Sequence, residues 1–295
     1  MHAGQELAQE LSAGYQIDPF LGVYDCFSAT IASRYSRNLF FSGFGFAASH
    51  YGLPDVGYIA WSDMLQAACR VRQILPEHRL LVDIDDGYVD VHTACHVVRQ
   101  LDRMGAGMVM LEDQARPRRC GHTDGKVVLP LNAYIEKLEA VLDARQDILV
   151  LARTDAAGDE IFRRVEAISK TAADVLLVDG IDSMQTLARV RDCTDKPLLF
   201  NQIAGGKSPR LSIAQLRAAG VAMIQYSTPL LFAAQRAMET ALLDLFADGG
   251  LLPSGRGFVG VAECLALLDQ NVTTSHAGAA TSVPEPVLPM TVQPR

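Results

Sequence analysis

Eight short apolar runs, each followed at once by polar or acidic residues, constrain the fold of this chain more than any other feature. They lie at Leu21–Tyr24, Leu39–Phe41, Leu80–Val82, Met108–Leu111, Ile148–Ala152, Val175–Val178, Pro197–Phe200 and Ala222–Tyr226. Between them, Ser62–Leu75, Val91–Met104, Asn132–Arg145, Asp159–Ala172, Ser183–Arg191 and Ser212–Ala218 repeat apolar residues at helical spacing. Continuous apolar runs mark parallel strands buried on both faces, and alternation with helices joins them by right-handed βαβ connections. Eight such units predict a closed (β/α)8 barrel of the TIM type. An open doubly wound sheet usually has fewer strands and often a Gly-rich phosphate turn. Here the glycines at Gly105 and Gly107 precede a strand, the wrong context for a dinucleotide fingerprint.

A chain of 295 residues that is 49% hydrophobic can bury one large core, so we expect a single domain over residues 1–271. That domain includes a short polar helix within Met1–Gly14 and a short C-terminal helical region. Residues 272–295, with Pro284, Pro286, Pro289 and Pro294, read as a disordered tail. The formal net charge of −8, with lysines and arginines scattered, argues against nucleic acid or a membrane surface as partner. No apolar stretch is long enough to cross a bilayer, and Met1–Gly14 lacks the basic-then-apolar pattern expected of a signal peptide. The six cysteines, at positions 26, 69, 95, 120, 193 and 264, form no CxxC pair, which suits a reduced, cytoplasmic compartment.

The strand ends carry the chemistry. They close on Asp25, on Ser42 and Gly43, on Asp83 with Asp85 and Asp86, on Glu112 and Asp113, on Arg153 with Asp155, on Asp179, on Asn201, and on Tyr226 and Ser227. A barrel presents the carboxyl ends of its strands on one face, so these side chains should converge there. Any one of them could instead cap a helix or fill an ion pair. Crowded together, however, Asp83, Asp85 and Glu112 would repel one another unless a cation lay between them. Hard oxygen ligands favour Mg²⁺, with Mn²⁺ as an alternative, and the scarcity of histidine disfavours zinc. Arg153 has the planar fork that grips a carboxylate, whether of a substrate or of a neighbouring aspartate.

The polar segment from Glu112 to Lys126 is long for a barrel loop and is expected to gate the site, mobile until a ligand binds. Cys120, beside Arg118, Arg119 and His122, sits where positive charge would favour a thiolate. The other five cysteines read as core. His92 and His96 share a helix face but lack a third ligand, and Trp61 reads as packing.

Five motifs together identify a family. SGFGFAASHYGLPDVG (42–57), LLVDIDDGY (80–88), LEDQARPRRCGH with GK (111–126), ARTDA (152–156) and NQIAGGKSP (201–209) resemble the isocitrate lyase/phosphoenolpyruvate mutase superfamily, in its 2-methylisocitrate lyase-like branch. By that resemblance Asp83 is the direct Mg²⁺ ligand, and Asp55, Asp85 and Glu112 hold metal-bound waters. Ser42, Gly43 and Phe44 match the stretch that binds a keto-acid carboxylate. Arg153 and Asp179 lie with the substrate, while Gly121, His122, Asn201 and Ser208 belong to the loops around its second carboxylate. Cys120 matches the acid/base of the lyase branch, with Arg153 and His122 beside it in the catalytic group. Relatives form tetramers, often exchanging C-terminal helices.

The chain departs from this pattern at four places. Relatives usually have Glu where it has Asp179, Lys where it has Arg118, an acidic residue where it has Ala204, and a glycine where Val89 stands. Arg256 is a candidate for a late substrate-binding arginine. By the resemblance, these changes cluster around the substrate rather than the metal. The expected reaction is retro-aldol cleavage of a small 2-hydroxy or 2-keto polycarboxylate to an α-keto acid and a carboxylate. Alternatives are a carboxyphosphoenolpyruvate-type phosphonomutase, an oxaloacetate hydrolase or decarboxylase, and a degenerate barrel that only binds a ligand.

Overall fold

Eight parallel strands close in chain order into a barrel: β1 (Phe20–Val23), β2 (Asn38–Phe41), β3 (Arg79–Asp83), β4 (Met108–Glu112), β5 (Leu149–Thr154), β6 (Val175–Val178), β7 (Leu198–Gln202) and β8 (Val221–Tyr226). The computed structural model describes residues 1–14, 17–252 and 258–276. Helix α1 (Ala3–Ser12) precedes the barrel. Its outer ring contains α2 (Cys26–Ala32), α3 (Gly43–Phe46), α4 (Trp61–Ile74), α5 (Val91–Arg103), α6 (Leu131–Ala144), α7 (Glu160–Ser169), α8 (Met184–Asp192) and α9 (Ile213–Ala218). Helices α10 (Pro229–Ala247) and α11 (Val261–His276) follow it. All eight expected strands are present, and their ends differ from the apolar runs by a residue or two.

Strand alternation divides the core in two. Phe20, Phe40, Leu81, Met110, Leu151, Leu177, Leu199 and Met223 fill the lumen, and Leu7 of α1 packs with them. The residues between them, such as Leu39, Val82, Val109, Val150, Leu176 and Phe200, face the helices in the larger cluster. Arg79 pairs with Glu6 at 3.3 Å and with Glu10, which ties α1 to the first residue of β3. Parallel register sets Glu112 beside Arg153 and Asn201 beside Gln225. In β2 to β8 the inward residue that follows the last lumen side chain is polar (Ser42, Asp83, Glu112, Arg153, Asp179, Asn201 and Gln225).

Several expectations need correction. Asp25 does not join the mouth; its carboxylate accepts from Ser28 N at 2.6 Å and caps α2. Helix α11 extends to His276. Arg256 and residues 277–295 lie outside the described residues. Of the cysteines assigned to the core only Cys95 is buried; Cys26, Cys69, Cys193 and Cys264 are half-buried. Helix α10 buries none of its residues and exposes Met238, Leu242, Leu243 and Phe246. No helix among the described residues is long and apolar enough to cross a membrane.

Candidate active site

The turn after β3 is held in an unusual backbone. Asp85 (φ 51°) and Tyr88 (φ 69°) both occupy the left-handed region, which costs free energy for residues with a side chain and tends to persist at functional sites. Asp83 Oδ1 accepts from Asp85 N at 3.1 Å. Gly43 approaches from the end of β2, and only a glycine fits easily there. A Cβ would lie 3.0 Å from Asp83 Oδ2 and 3.3 Å from Asp85 Oδ1. Ser42 caps α3 by accepting from Gly45 N at 3.1 Å, which fixes that approach. Phe44 is half-buried against Phe232 of α10, with ring centroids 6.1 Å apart.

Arg118 joins the rest of the carboxylate set. It is 1% exposed, and its Nε donates to Glu112 Oε1 at 2.7 Å. Its Nη1 pairs with Asp55 and lies 3.2 Å from Asp85 Oδ1. The expectation that Arg118 would lie with the substrate is thus overturned, because its fork points into the carboxylates assigned to the metal. Burial raises the carboxyls of Asp83 and Asp85 against the pull of Arg118, Asp85 well above the ordinary range, and lifts Glu112 to about 7. Neither oxygen of Asp85 accepts a hydrogen bond, although both are buried. Four carboxyls crowded away from water around one guanidinium, one of them without a hydrogen-bond donor, are an environment that a hard cation relieves. These residues do not form an all-protein cage. Among the described residues the only trio of metal-ligand atoms within 4.8 Å of one another is His2, Asp102 and Asp147, far from the mouth. A loose set suits an ion such as Mg²⁺, which keeps several waters.

Arg153 borders these carboxylates from the neighbouring strand β5, beside Glu112. Its Nε and Nη2 fork onto Asp155 at 2.9 and 3.0 Å, and Nη2 reaches Asp179 at 2.8 Å and Glu112 at 3.4 Å. Asp179 also accepts from Asn201 Nδ2 at 3.1 Å and lies 3.2 Å from His122 Nε2. Burial alone would raise the Asp179 carboxyl; Arg153, His122 and Asn201 outweigh it and hold the group far below the usual range. His122 Nδ1 accepts from Lys207 N at 3.0 Å, so its proton sits on Nε2 and is directed at Asp179. Asn201 is oriented in turn by Ser227, whose hydroxyl donates to Asn201 Oδ1 at 2.7 Å.

The loop after β4 reaches this cluster through Gly121. A Cβ there would lie 2.5 Å from Arg153 Nη2 and 2.8 Å from Asp155 Oδ1, and closer still to Asp179 Oδ2. The loop is anchored more firmly than its polar composition suggested. Arg116 forks onto Asp86 with two bonds of 2.8 Å, Gln114 bonds both the N and the O of Arg119, and Lys126 reaches Asp155 at 2.9 Å. The roles of Arg116, Lys126 and Lys207 were not legible in sequence, because a basic residue in a polar loop gives no sign of its partner.

Cys120 is half-buried, next to Gly121. The expected thiolate is contradicted: burial, with Asp55 and Asp179 adding to it, pushes the thiol up to about 11. The flanking positive charge is spent elsewhere, Arg118 on carboxylates and Arg119 in solvent. Ser208 and Ala204 line a cavity of about 600 Å³ with Gln202, Arg210, Tyr226 and Thr228.

Comparison with known proteins places this site in context. The family description "Phosphoenolpyruvate phosphomutase" matches residues 8–246. A 2-methylisocitrate lyase from Aeropyrum pernix is 30% identical over 233 residues, 77% of this chain and 75% of that protein. The crystal structure of a 2,3-dimethylmalate lyase superposes with a TM-score of 0.87 at 30% identity, covering 94% of this chain and 96% of that one. That of an oxaloacetate acetylhydrolase, bound to 3,3-difluorooxalacetate, gives 0.86 at 28% identity over 92% and 95% of the two chains.

Proposed function

Since the chain belongs to the phosphoenolpyruvate phosphomutase family, within the isocitrate lyase/phosphoenolpyruvate mutase superfamily, we propose that it is a Mg²⁺-dependent carbon–carbon lyase. Its substrate is a small 2-hydroxy polycarboxylate, cleaved to an α-keto acid and a carboxylate. One observation carries this reading: the fit of Gly121 against Arg153, Asp155 and Asp179, which brings the stretch of loop that bears Cys120 to a buried guanidinium bordering the carboxylate set.

Asp83 would hold the metal directly, with Asp55, Asp85 and Glu112 around it through water. When bound, Mg²⁺ supplies positive charge to the oxygen that becomes the keto group. The chain supplies the rest. Ser42, Gly43 and Phe44 would take the carboxylate next to that oxygen. Arg153, His122 and Asn201 would bind the departing carboxylate, whose enolate receives the electron pair as the bond opens. Cys120 would then protonate the carbon. A thiol near 11 is wholly protonated at neutral pH, which suits a donor better than the thiolate first expected. The base for the substrate hydroxyl is not Arg118, since a guanidinium keeps its proton.

The exposed apolar residues of α10, with Leu251, Leu252 and Val261 beyond it, support assembly as a homotetramer with exchanged C-terminal helices. We place the enzyme in the cytoplasm. The test is a panel of substituted malates, 2-hydroxy tricarboxylates, oxaloacetate and phosphonates, assayed with Mg²⁺ and with EDTA. Metal-dependent release of a keto acid from a hydroxy acid is the expected result. Turnover confined to oxaloacetate or to a phosphonate would overturn the lyase assignment.

A further inference from the structure

We propose that Arg118 is a built-in counter-ion that competes with the divalent cation for Asp55, Asp85 and Glu112, coupling metal loading to the position of the loop after β4. The inference rests on the metal reading above, and it concerns this chain's own side chain.

Two guanidinium groups border the carboxylate set, and their partners differ. Arg153 is held chiefly by acids of its own, Asp155 at 2.9 Å and Asp179 at 2.8 Å, and touches Glu112 only at 3.4 Å. Among the described residues, Arg118 pairs only with the metal set. Its Nε and Nη2 straddle the two oxygens of Glu112 at 2.7 and 3.4 Å, and its Nη1 lies between Asp55 and Asp85. Three of the four carboxylates therefore face a cation already on the chain. That charge is permanent, because arginine does not deprotonate in proteins. Buried as it is, it is screened little by solvent, so a metal ion entering the set meets repulsion from it. The carboxylate lone pairs that hold Arg118 are also the ones that would hold metal-bound waters.

The position of Arg118 in the chain gives this competition a mechanical consequence. Two residues before it, Arg116 forks onto Asp86; two and three residues after it come Cys120 and Gly121. Its stem packs against Gly57, where a Cβ would meet Arg118 Cγ at 3.0 Å. A guanidinium withdrawn from the carboxylates would drag this stretch of the loop with it. Metal uptake should then loosen residues 116–122, while substrate carboxylates on Arg153 and His122 would draw the loop back.

The test uses the full-length protein and Mn²⁺ alone, with free Mn²⁺ read by electron paramagnetic resonance. Removing the resident charge in Arg118→Met should tighten Mn²⁺ binding about tenfold or more, since a buried like charge no longer opposes it. In wild type, Mn²⁺ should raise amide hydrogen exchange across residues 116–122. Should Arg118→Met fail to fold without metal, Arg118→Lys keeps a charge but loses the fork, and should bind Mn²⁺ more tightly than wild type by a smaller factor. Mn²⁺ affinity unchanged or weakened in these variants, or exchange in wild type indifferent to Mn²⁺, would overturn the competition and leave the metal reading intact. Absence of Mn²⁺ binding in wild type and variants alike would remove both.

Discussion

Gly121→Ala is the smallest change that should dismantle the site. The added Cβ would lie 2.5 Å from Arg153 Nη2 and 2.8 Å from Asp155 Oδ1, whereas real Cβ atoms essentially never come within 3.0 Å of such neighbours. Something must move by at least half an ångström, and by more to clear Asp179. The neighbours resist. Asp179 is held by Arg153, His122 and Asn201, and Asp155 by Arg153 and Lys126. Forcing them apart is overpacking, at a cost of about 1–3 kcal/mol. The loop is the softer partner, so we expect it to shift and to carry Cys120 and His122 out of position. A misplacement of about 1 Å in a catalytic group costs about 10² in rate. The assay is kcat/KM on the substrate found by the panel, together with the melting temperature. We expect kcat/KM to fall about 10²-fold while stability drops by no more than about 3 kcal/mol. Gly125→Ala is the control on the same loop. Its φ of 78° is unfavourable for alanine, but its Cβ would meet nothing closer than Arg119 Nε at 3.8 Å, so activity should survive. Gly121→Ala with near-wild-type kcat/KM would refute the placement of the loop on Arg153.

Three further outcomes follow. Cys120→Ser should lower kcat by about 10²–10⁴, and with the thiol near 11, alkylation of Cys120 should be slow at pH 7 and accelerate up to about pH 11. Rapid alkylation at neutral pH would show that the thiol is not buried in this way. Asp85→Asn removes one of the carboxylates that hold Arg118 and would hold metal-bound water, and should weaken Mn²⁺ binding about tenfold or more; Mn²⁺ affinity equal to wild type would contradict this. Asp179, whose carboxyl is held low, contributes stability present above its unfolded value of about 3.9 and lost as pH falls toward the folded value. The stability gap between wild type and Asp179→Asn, measured by urea unfolding, should therefore be constant near neutrality and shrink below about pH 4; a gap that widens in acid would reverse the sign.

The barrel and most of its mouth were legible because burial on both strand faces leaves a continuous apolar run, and the residue that ends such a run is placed by the pleat. Asp83, Glu112, Arg153, Asp179 and Asn201 all come together on that ground. Asp25 was misread because a cap and a mouth residue follow a strand in the same way, and only the bond to Ser28 separates them. The loop after β4 was the least legible part. Arg118 and Arg119 are neighbours of the same type, yet one is buried among acids and the other faces solvent. Nothing local to RPRRCGH says which, since the partners at Asp55 and Asp85 lie 63 and 33 positions earlier in the chain. Reading both arginines as activating Cys120 produced the mistaken thiolate.

The most direct test of the central claim is cleavage in D₂O, followed by NMR of the product. With the cognate hydroxy acid and Mg²⁺, proton transfer from Cys120 predicts an α-keto acid and a carboxylate carrying one deuterium at the carbon that left, placed on one face. Cys120→Ser and EDTA should each suppress this product. Deuterium on both faces alike, or cleavage undiminished without metal or thiol, would contradict the account.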